Sequence, residues 1–338
     1  MISIGSFTVR CWNGKSILPT DMHDMQLTRR GFIGRTLSCG ALFAASRLPA
    51  FADEPTVFPA RGDYERLSLT YHEVKAGATA PFTLLHFSDT HLAATYPHEP
   101  QDVRENMRRR TVIFGGRQEE ALRDTLAWAR TNVDFIVHTG DVVDLGTEAN
   151  FDLVRRYFGG WNVFGCVGNH EFEIGGKSQY GDHDAIIPEL AKYYPFDPTF
   201  SSRVVNGVNF VALDNAFGGV TERQVSLFAK EEEKGLPIVL CMHVPFFTPF
   251  ILTAKAKFAK NAKGFDGRTP EPKRGDHLRQ LNDPVTRGFI AHLQAQPLLK
   301  AILAGHLHIG VEERFSPTAM QYVVAGNYMF HAAEILVT

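Results

Sequence analysis

Five times between residues 82 and 308, a short apolar run breaks off into a polar signature. The five are Asp89-Thr90-His91, Gly140-Asp141-Val142-Val143-Asp144, Gly168-Asn169-His170-Glu171, Met242-His243-Val244-Pro245 and Gly305-His306-Leu307-His308. A buried strand fixes the backbone, and the loop just beyond it can aim side chains at a point shared with other strands. Ligands of α/β sheets gather at such carboxyl ends. The signatures therefore ask for a fold that brings several strand ends to one place.

The sequence around them reads as such a fold. Phe82 to Phe87 is strand-like and runs into Ser88-Asp89, and Val133 to Val137, Val163 to Val167, Pro237 to Met242 and Leu298 to Ala304 precede the other signatures. Gln118 to Arg130 carries Ala121, Leu122, Leu126 and Ala129 near the helical period, and Glu148 to Phe158 is also helical. Arg203 to Leu213 reads as two strands about the Asn206-Gly207 turn. Thr221 caps a helix running to Lys234, while Asp283 caps and Pro284 opens another to about Gln296. Tyr322 to Ala325 and Ala332 to Val337 close the chain as strands. This alternation is that of an α/β domain, with no internal repeat.

Residues 1–52 read as an export signal outside the fold. Thr28-Arg29-Arg30-Gly31-Phe32-Ile33 is a twin-arginine pattern, followed by a mostly apolar stretch that exits through Ala50-Phe51-Ala52. Arg35 and Arg47 interrupt that stretch, which excludes a stable membrane span of about 20 apolar residues. Met25, or else Met22, is the expected initiator. The mature chain is then a single domain over residues 53–338, delivered to the periplasm or medium by the twin-arginine export machinery. Cys39 has Thr36 where a lipoprotein signal needs an apolar residue, so lipidation is set aside. Cys166 and Cys241 remain, too few for a disulfide framework, and both are expected as buried strand residues.

A formal charge of −2 gives no global attraction for nucleic acid or an anionic membrane, so any attraction for phosphate must be local. Nucleic acid is not expected as a partner, and nothing specifies an oligomeric state. Residues 254–280 depart from the general balance, with eight basic side chains, Lys273 and Arg274 among them, against three acidic ones. The segment reads as a surface insertion. It is either a cationic flap for a phosphate-bearing substrate, with Lys273 and Arg274 as candidate binding residues, or a solvated loop.

Asp89, His91, Asp141, Asn169, His243, His306 and His308 together offer carboxylate, imidazole and amide donors. Such a set suits zinc, iron or manganese, and the absence of thiols argues against a structural zinc site. Two divalent ions about 3.5–4 Å apart can clamp the attacking and leaving oxygens of a phosphoryl displacement and lower the pKa of a bound water. His86 and His138 precede the signatures and read as core residues. His183 and His277 could approach a substrate from loops.

With these motifs in place, residues 82–338 resemble a calcineurin-like metallophosphoesterase. The resemblance implies an α/β sandwich of two mixed sheets flanked by helices. It implies that Asp89, His91, Asp141 and His308 hold one metal, and that Asn169, His243 and His306 hold the second, with Asp141 bridging. It also implies attack by a metal-bridging hydroxide, with His170 assisting the leaving group and Asp144 orienting His170.

Departures narrow the branch. Protein phosphatases of this family place arginines where this chain has Leu145 and Val167, and purple acid phosphatases carry a Tyr in place of Asp144. The 5′-nucleotidases add a large domain after the last signature, where some thirty residues follow His308 here. The expectation is hydrolysis of a small phosphodiester, resembling bacterial phosphodiesterases. A broad phosphomonoesterase is the runner-up, with a nuclease or a silent binding scaffold behind it.

Overall fold

Strands with apolar residues at both odd and even positions need cover on both faces. β2 (Phe82–Phe87), β3 (Phe135–Thr139), β4 (Val163–Cys166), β6 (Val208–Leu213) and β7 (Ile238–Cys241) are buried along their whole length, and β8 (Leu299–Ala304) nearly so. The computed structural model, which describes residues 66–174, 182–254 and 283–338, shows how they are covered.

β1 (Ser68–Val74) and β11 (His331–Val337) join β2, β3 and β4 in a five-stranded sheet of order β1-β11-β2-β3-β4. β5 (Phe200–Val205), β9 (Val311–Arg314) and β10 (Met320–Val323) complete a six-stranded sheet of order β5-β6-β7-β8-β10-β9. β2, β3 and β4 are mutually parallel, as are β6, β7, β8 and β10, so each sheet points a run of carboxyl ends the same way.

The strand period sorts side chains into three apolar layers. Leu84, Val137, Phe210, Val239 and Leu303 form the layer shared by both sheets. Leu85, Phe87 and Ile136 face outward onto Leu122 of α2 (Gln118–Asn132) and Val154 and Phe158 of α3 (Glu148–Phe158). Val211, Leu240 and Ile302 pack with Phe228 of α5 (Glu222–Glu232) and Phe289 and Leu293 of α6 (Pro284–Ala295). Each such fully buried side chain contributes roughly 1.5–3 kcal/mol. The result is a sandwich of two mixed sheets flanked by helices, as expected.

The cap signals hold. Thr221 closes a capping box with Gln224, and the Asp283 side chain accepts from Val285 and Thr286 N–H ahead of Pro284 at the helix start. Among the elements of the described residues that escaped the sequence reading are two strands and two longer helices. β1 is a half-exposed edge strand, and β9 alternates buried Val311 and Glu313 with exposed Glu312 and Arg314. α1 (Gln101–Ile113) is largely polar and buries only Val103, Asn106 and Met107. α4 (His183–Leu190) contains Pro188, although Asp182 caps it.

Cys166 and Cys241 are buried and free. Among the described residues, no helix is long and apolar enough to cross a membrane. The expected export signal, His277, and the basic insertion beyond Ala254, including Lys273 and Arg274, lie outside the described residues.

Candidate metal centre

The carboxyl ends of five strands from both sheets meet. β2 delivers Asp89 and His91, β3 Asp141, β4 Asn169, β7 His243, and β8 His306 and His308. Donor atoms of Asp89, His91, Asp141 and His308 lie within 4.8 Å of one another, and so do those of Asp141, His243 and His306. Asp141 belongs to both groups. In the first, His308 Nε2 is 3.2 Å from Asp89 Oδ1, and His91 Nε2 is 3.8 Å from Asp141 Oδ2. In the second, His243 Nε2 is 3.2 Å from both Asp141 Oδ2 and Asn169 Oδ1. All seven residues proposed from the sequence are thereby brought together.

The backbone here is strained. Seven non-glycine residues among those described have positive φ, and five of them are Asp89, His91, Asp141, His306 and His308, at 50 to 69°. Such angles cost on the order of 1–3 kcal/mol each and persist where surroundings over-determine them. Asp89 N–H donates to Gly140 O, His91 N–H to Asp141 O, and His306 N–H to the Asp89 carboxylate, which ties three loops together. Gly140 itself has φ +93°. At Gly168 and Gly305 the constraint is contact. A Cβ would come within 2.2 Å of Asp141 Oδ1 at the first and 1.9 Å of Ser88 Oγ at the second. The neighbours of these two glycines are thus ligand side chains and Ser88.

The donors fit divalent cations. His91 and His308 bring Nε2 atoms to 3.0 Å, and His306 Nδ1 stands 3.0 Å from His243 Nε2. Two neutral imidazoles gain from such an approach only with a proton or cation between the lone pairs. His306 Nε2 is buried and has no hydrogen-bond partner among the described residues. Burial depresses His91 to about 4 and His306 to about 3, so both are neutral donors. Burial also opposes charge on His243, but Asp141 and Asp89 overcome it and push its pKa up to about 10. Desolvation works against the Asp89 and Asp141 carboxylates as well. Surrounding imidazoles, His308 beside Asp89 and His243 beside Asp141, still hold them below their usual range.

His170 sits at the edge of this cluster, with its N–H donating to Asp141 Oδ1 at 2.9 Å. Its Nδ1 is 2.9 Å from Asp144 O and 3.4 Å from Asp144 Oδ1. The ring is partly open to solvent, and Nε2 makes no hydrogen bond with a described residue. Burial disfavours the imidazolium, but Asp141, Asp144 and Glu173 outweigh it and raise the pKa. The nearer contact of His170 with Asp144 is therefore to the backbone carbonyl and not to the carboxylate. The Asp144 carboxylate is turned to His91 Nδ1 at 3.2 Å and to Arg110, whose Nε and Nη2 donate at 2.8 and 2.7 Å. Burial opposes charge on Asp144, and Arg110 with His91 keeps it ionised.

Arg110, Glu171, Tyr328 and Asn215 are the residues the sequence reading missed. Glu171 stands inside a signature but had been given no role. Its buried carboxylate accepts from Asp141, Val142 and Gly168 N–H and from the Tyr194 hydroxyl. Asn215 Oδ1 accepts His243 N–H, and the Tyr328 hydroxyl meets His308 Nδ1 at 3.3 Å. Arg110 is one of three successive arginines in a polar helix, and no local pattern sets it apart. His86 and His138 are core residues as expected, bonded to Thr139 and Thr90 and held neutral by burial. His183 is bound to Asp214 at 2.6 Å and to Asp184 at 3.1 Å, so both ring nitrogens are engaged.

The sequence profile of the calcineurin-like phosphoesterases matches residues 82–310, more than half of the chain. The protein belongs to that family, whose chemistry is metal-dependent hydrolysis of phosphoric esters. Among curated proteins, none matches the sequence significantly. Similar solved structures include a dimetal phosphatase from Danio rerio, 16% identical, covering 73% of this chain and 88% of that one at a TM-score of 0.43. A putative 5′-nucleotidase from Staphylococcus aureus is 16% identical over 73% of this chain and 49% of its own, with a TM-score of 0.40. A purple acid phosphatase from yellow lupin is 14% identical over 75% and 45%, with a TM-score of 0.44. The chain thus spans about half the length of the last two.

Proposed function

We propose that this protein hydrolyses a small phosphodiester at a dinuclear centre, with His170 protonating the departing alkoxide. The observation that carries the reading is Asp141, shared by two groups of donor atoms, with Oδ1 accepting the His170 N–H at 2.9 Å. One carboxylate would thus serve both metal positions, and its Oδ1 holds the backbone N–H of the residue proposed as general acid. Asp89, His91, Asp141 and His308 would hold the first ion, and Asn169, His243 and His306 the second, with Asp141 between them. When bound, two divalent ions supply a nucleophile from water at neutral pH and neutralise charge on the phosphoryl oxygens. His170 keeps Nδ1 on Asp144 O, which leaves Nε2 as the proton-carrying atom for the leaving group.

Preference for a diester rests on charge. Leu145 and Val167, where protein phosphatases of the family carry arginines, are fully buried apolar residues. Arg110 reaches the site, but its Nε and Nη2 are committed to Asp144. A phosphodiester, with one negative charge, asks less of such a site than a phosphomonoester with two. The second reading is a phosphomonoesterase in which Lys273 and Arg274 supply the missing charge. Export through the twin-arginine route rests on Arg29-Arg30 and the Ala50-Phe51-Ala52 exit. That route carries folded proteins, so the metals would be loaded before export.

The test is hydrolysis of bis-p-nitrophenyl phosphate against p-nitrophenyl phosphate after loading with manganese, iron or zinc, with His170→Asn as control. A diester preference lost in the variant supports the proposal. A monoester preference, with the Michaelis constant rising when Lys273 and Arg274 are neutralised, favours the second reading. Inactivity on both with two metals bound means a narrow substrate or a binding scaffold.

A further inference from the structure

The C-terminal end of α1 lies outside all five signatures, yet it bears on the same imidazole twice, once through a carboxylate and once directly. Arg110 forks onto the Asp144 carboxylate, and Asp144 Oδ1 faces His91 Nδ1 at 3.2 Å. One turn later Phe114 lies flat on the His91 ring, with centroids 4.0 Å apart and planes 13° from parallel. Arg110 and the C-cap residue Phe114 also meet each other, the guanidinium standing 5.3 Å from the ring centroid. His91 needs this support, because its backbone sits at φ +50°, an angle that disfavours residues with a Cβ.

We propose that Arg110 is a positioning residue for the first metal ion, acting through the Asp144 carboxylate on His91 while Phe114 fixes the plane of the ring. With Oδ1 accepting from Nδ1–H, His91 is held in the tautomer whose Nε2 lone pair points to Asp89, Asp141 and His308. Asp144 is fully buried, and without Arg110 it would be a charge with one partner fewer and free to rotate. A lysine could supply charge but not the two-point fork. The inference rests on the dinuclear reading above.

The experiment is a calorimetric manganese titration of the full chain as wild type, Arg110→Ala, Arg110→Lys and Phe114→Leu, with turnover of bis-p-nitrophenyl phosphate measured in parallel. Partners of a ligating histidine are worth about 10–100-fold in metal affinity or activity. The expected result is a loss of about that size at one of two manganese sites in Arg110→Ala, with the other within about threefold. Lysine should fail to restore it, added guanidinium ion should restore it, and kcat should fall with little change in KM. Phe114→Leu, which keeps the helix apolar, should weaken the same site and serves if Arg110→Ala does not fold. A wild-type isotherm and kcat in Arg110→Ala would overturn the assignment, as would a rise in KM alone or equal weakening of both sites. If wild type itself binds no metal, the dinuclear reading has failed instead.

Discussion

Asp141 Oδ2 and His243 Nε2 lie 3.2 Å apart although one follows β3 of the five-stranded sheet and the other β7 of the six-stranded sheet. The contact joins the two halves of the sandwich at the candidate metal centre. Asp141→Asn removes the charge shared by both donor groups. Metal content measured on the purified variant should fall below two ions per chain, and turnover should drop by more than about 100-fold. Two retained ions with full activity would show that Asp141 does not bridge.

His170 is not one of the seven proposed ligands, meeting Asp141 through its backbone N–H and His91 ring edge to ring face, so His170→Asn should leave metal content near that of wild type. Turnover should fall by about 10²–10⁴ on an alkyl diester, whose alkoxide needs a proton to leave. The loss should be smaller on a p-nitrophenyl ester, whose leaving group is stable as an anion. Equal losses on both substrates would argue against His170 as the acid.

Glu171→Ala strips the acceptor from three backbone N–H groups and the Tyr194 hydroxyl, all around a buried carboxylate. Each buried donor left unpaired costs about 1–3 kcal/mol. Urea denaturation in chelator should show a loss of at least about 3 kcal/mol, with Glu171→Gln in between. A variant within about 1 kcal/mol of wild type would mean that water replaces the carboxylate.

The His183–Asp214 pair gives a pH dependence apart from the metal ligands. The hydrogen bond to Asp214 is the main cause raising His183 to about 9, against the opposing effect of burial. A histidine raised above its unfolded value of about 6.5 adds stability that is fully present below that pH. It is lost as pH rises through about 9. The side chain is 37% exposed, so screening keeps the effect modest. The Tm difference between wild type and Asp214→Asn should therefore be largest in mild acid and shrink above pH 9. A difference that does not change with pH would leave the pair without a charge-dependent role.

The sequence by itself determined the central strands, the Thr221 and Asp283 caps and the placing of the seven candidate donors at strand ends, because each is written locally. A run such as Phe82–Phe87 is apolar on both faces, Asp283-Pro284 is a helix start wherever it occurs, and each donor stands within a few residues of a strand end. Only the tertiary structure decided which groups share Asp141, and that the Asp144 carboxylate serves His91 and Arg110 while its carbonyl serves His170. Arg110 was illegible for the same reason: it lies 34 residues from Asp144 in a helix with no apolar period to mark its face. The edge strands β1 and β9 were hidden by partial exposure, since half-solvated strands lack the continuous apolar run that made the central ones plain. Local sequence sets backbone preference and burial, but a hydrogen bond between distant segments depends on how layers pack, and packing is a property of the whole chain.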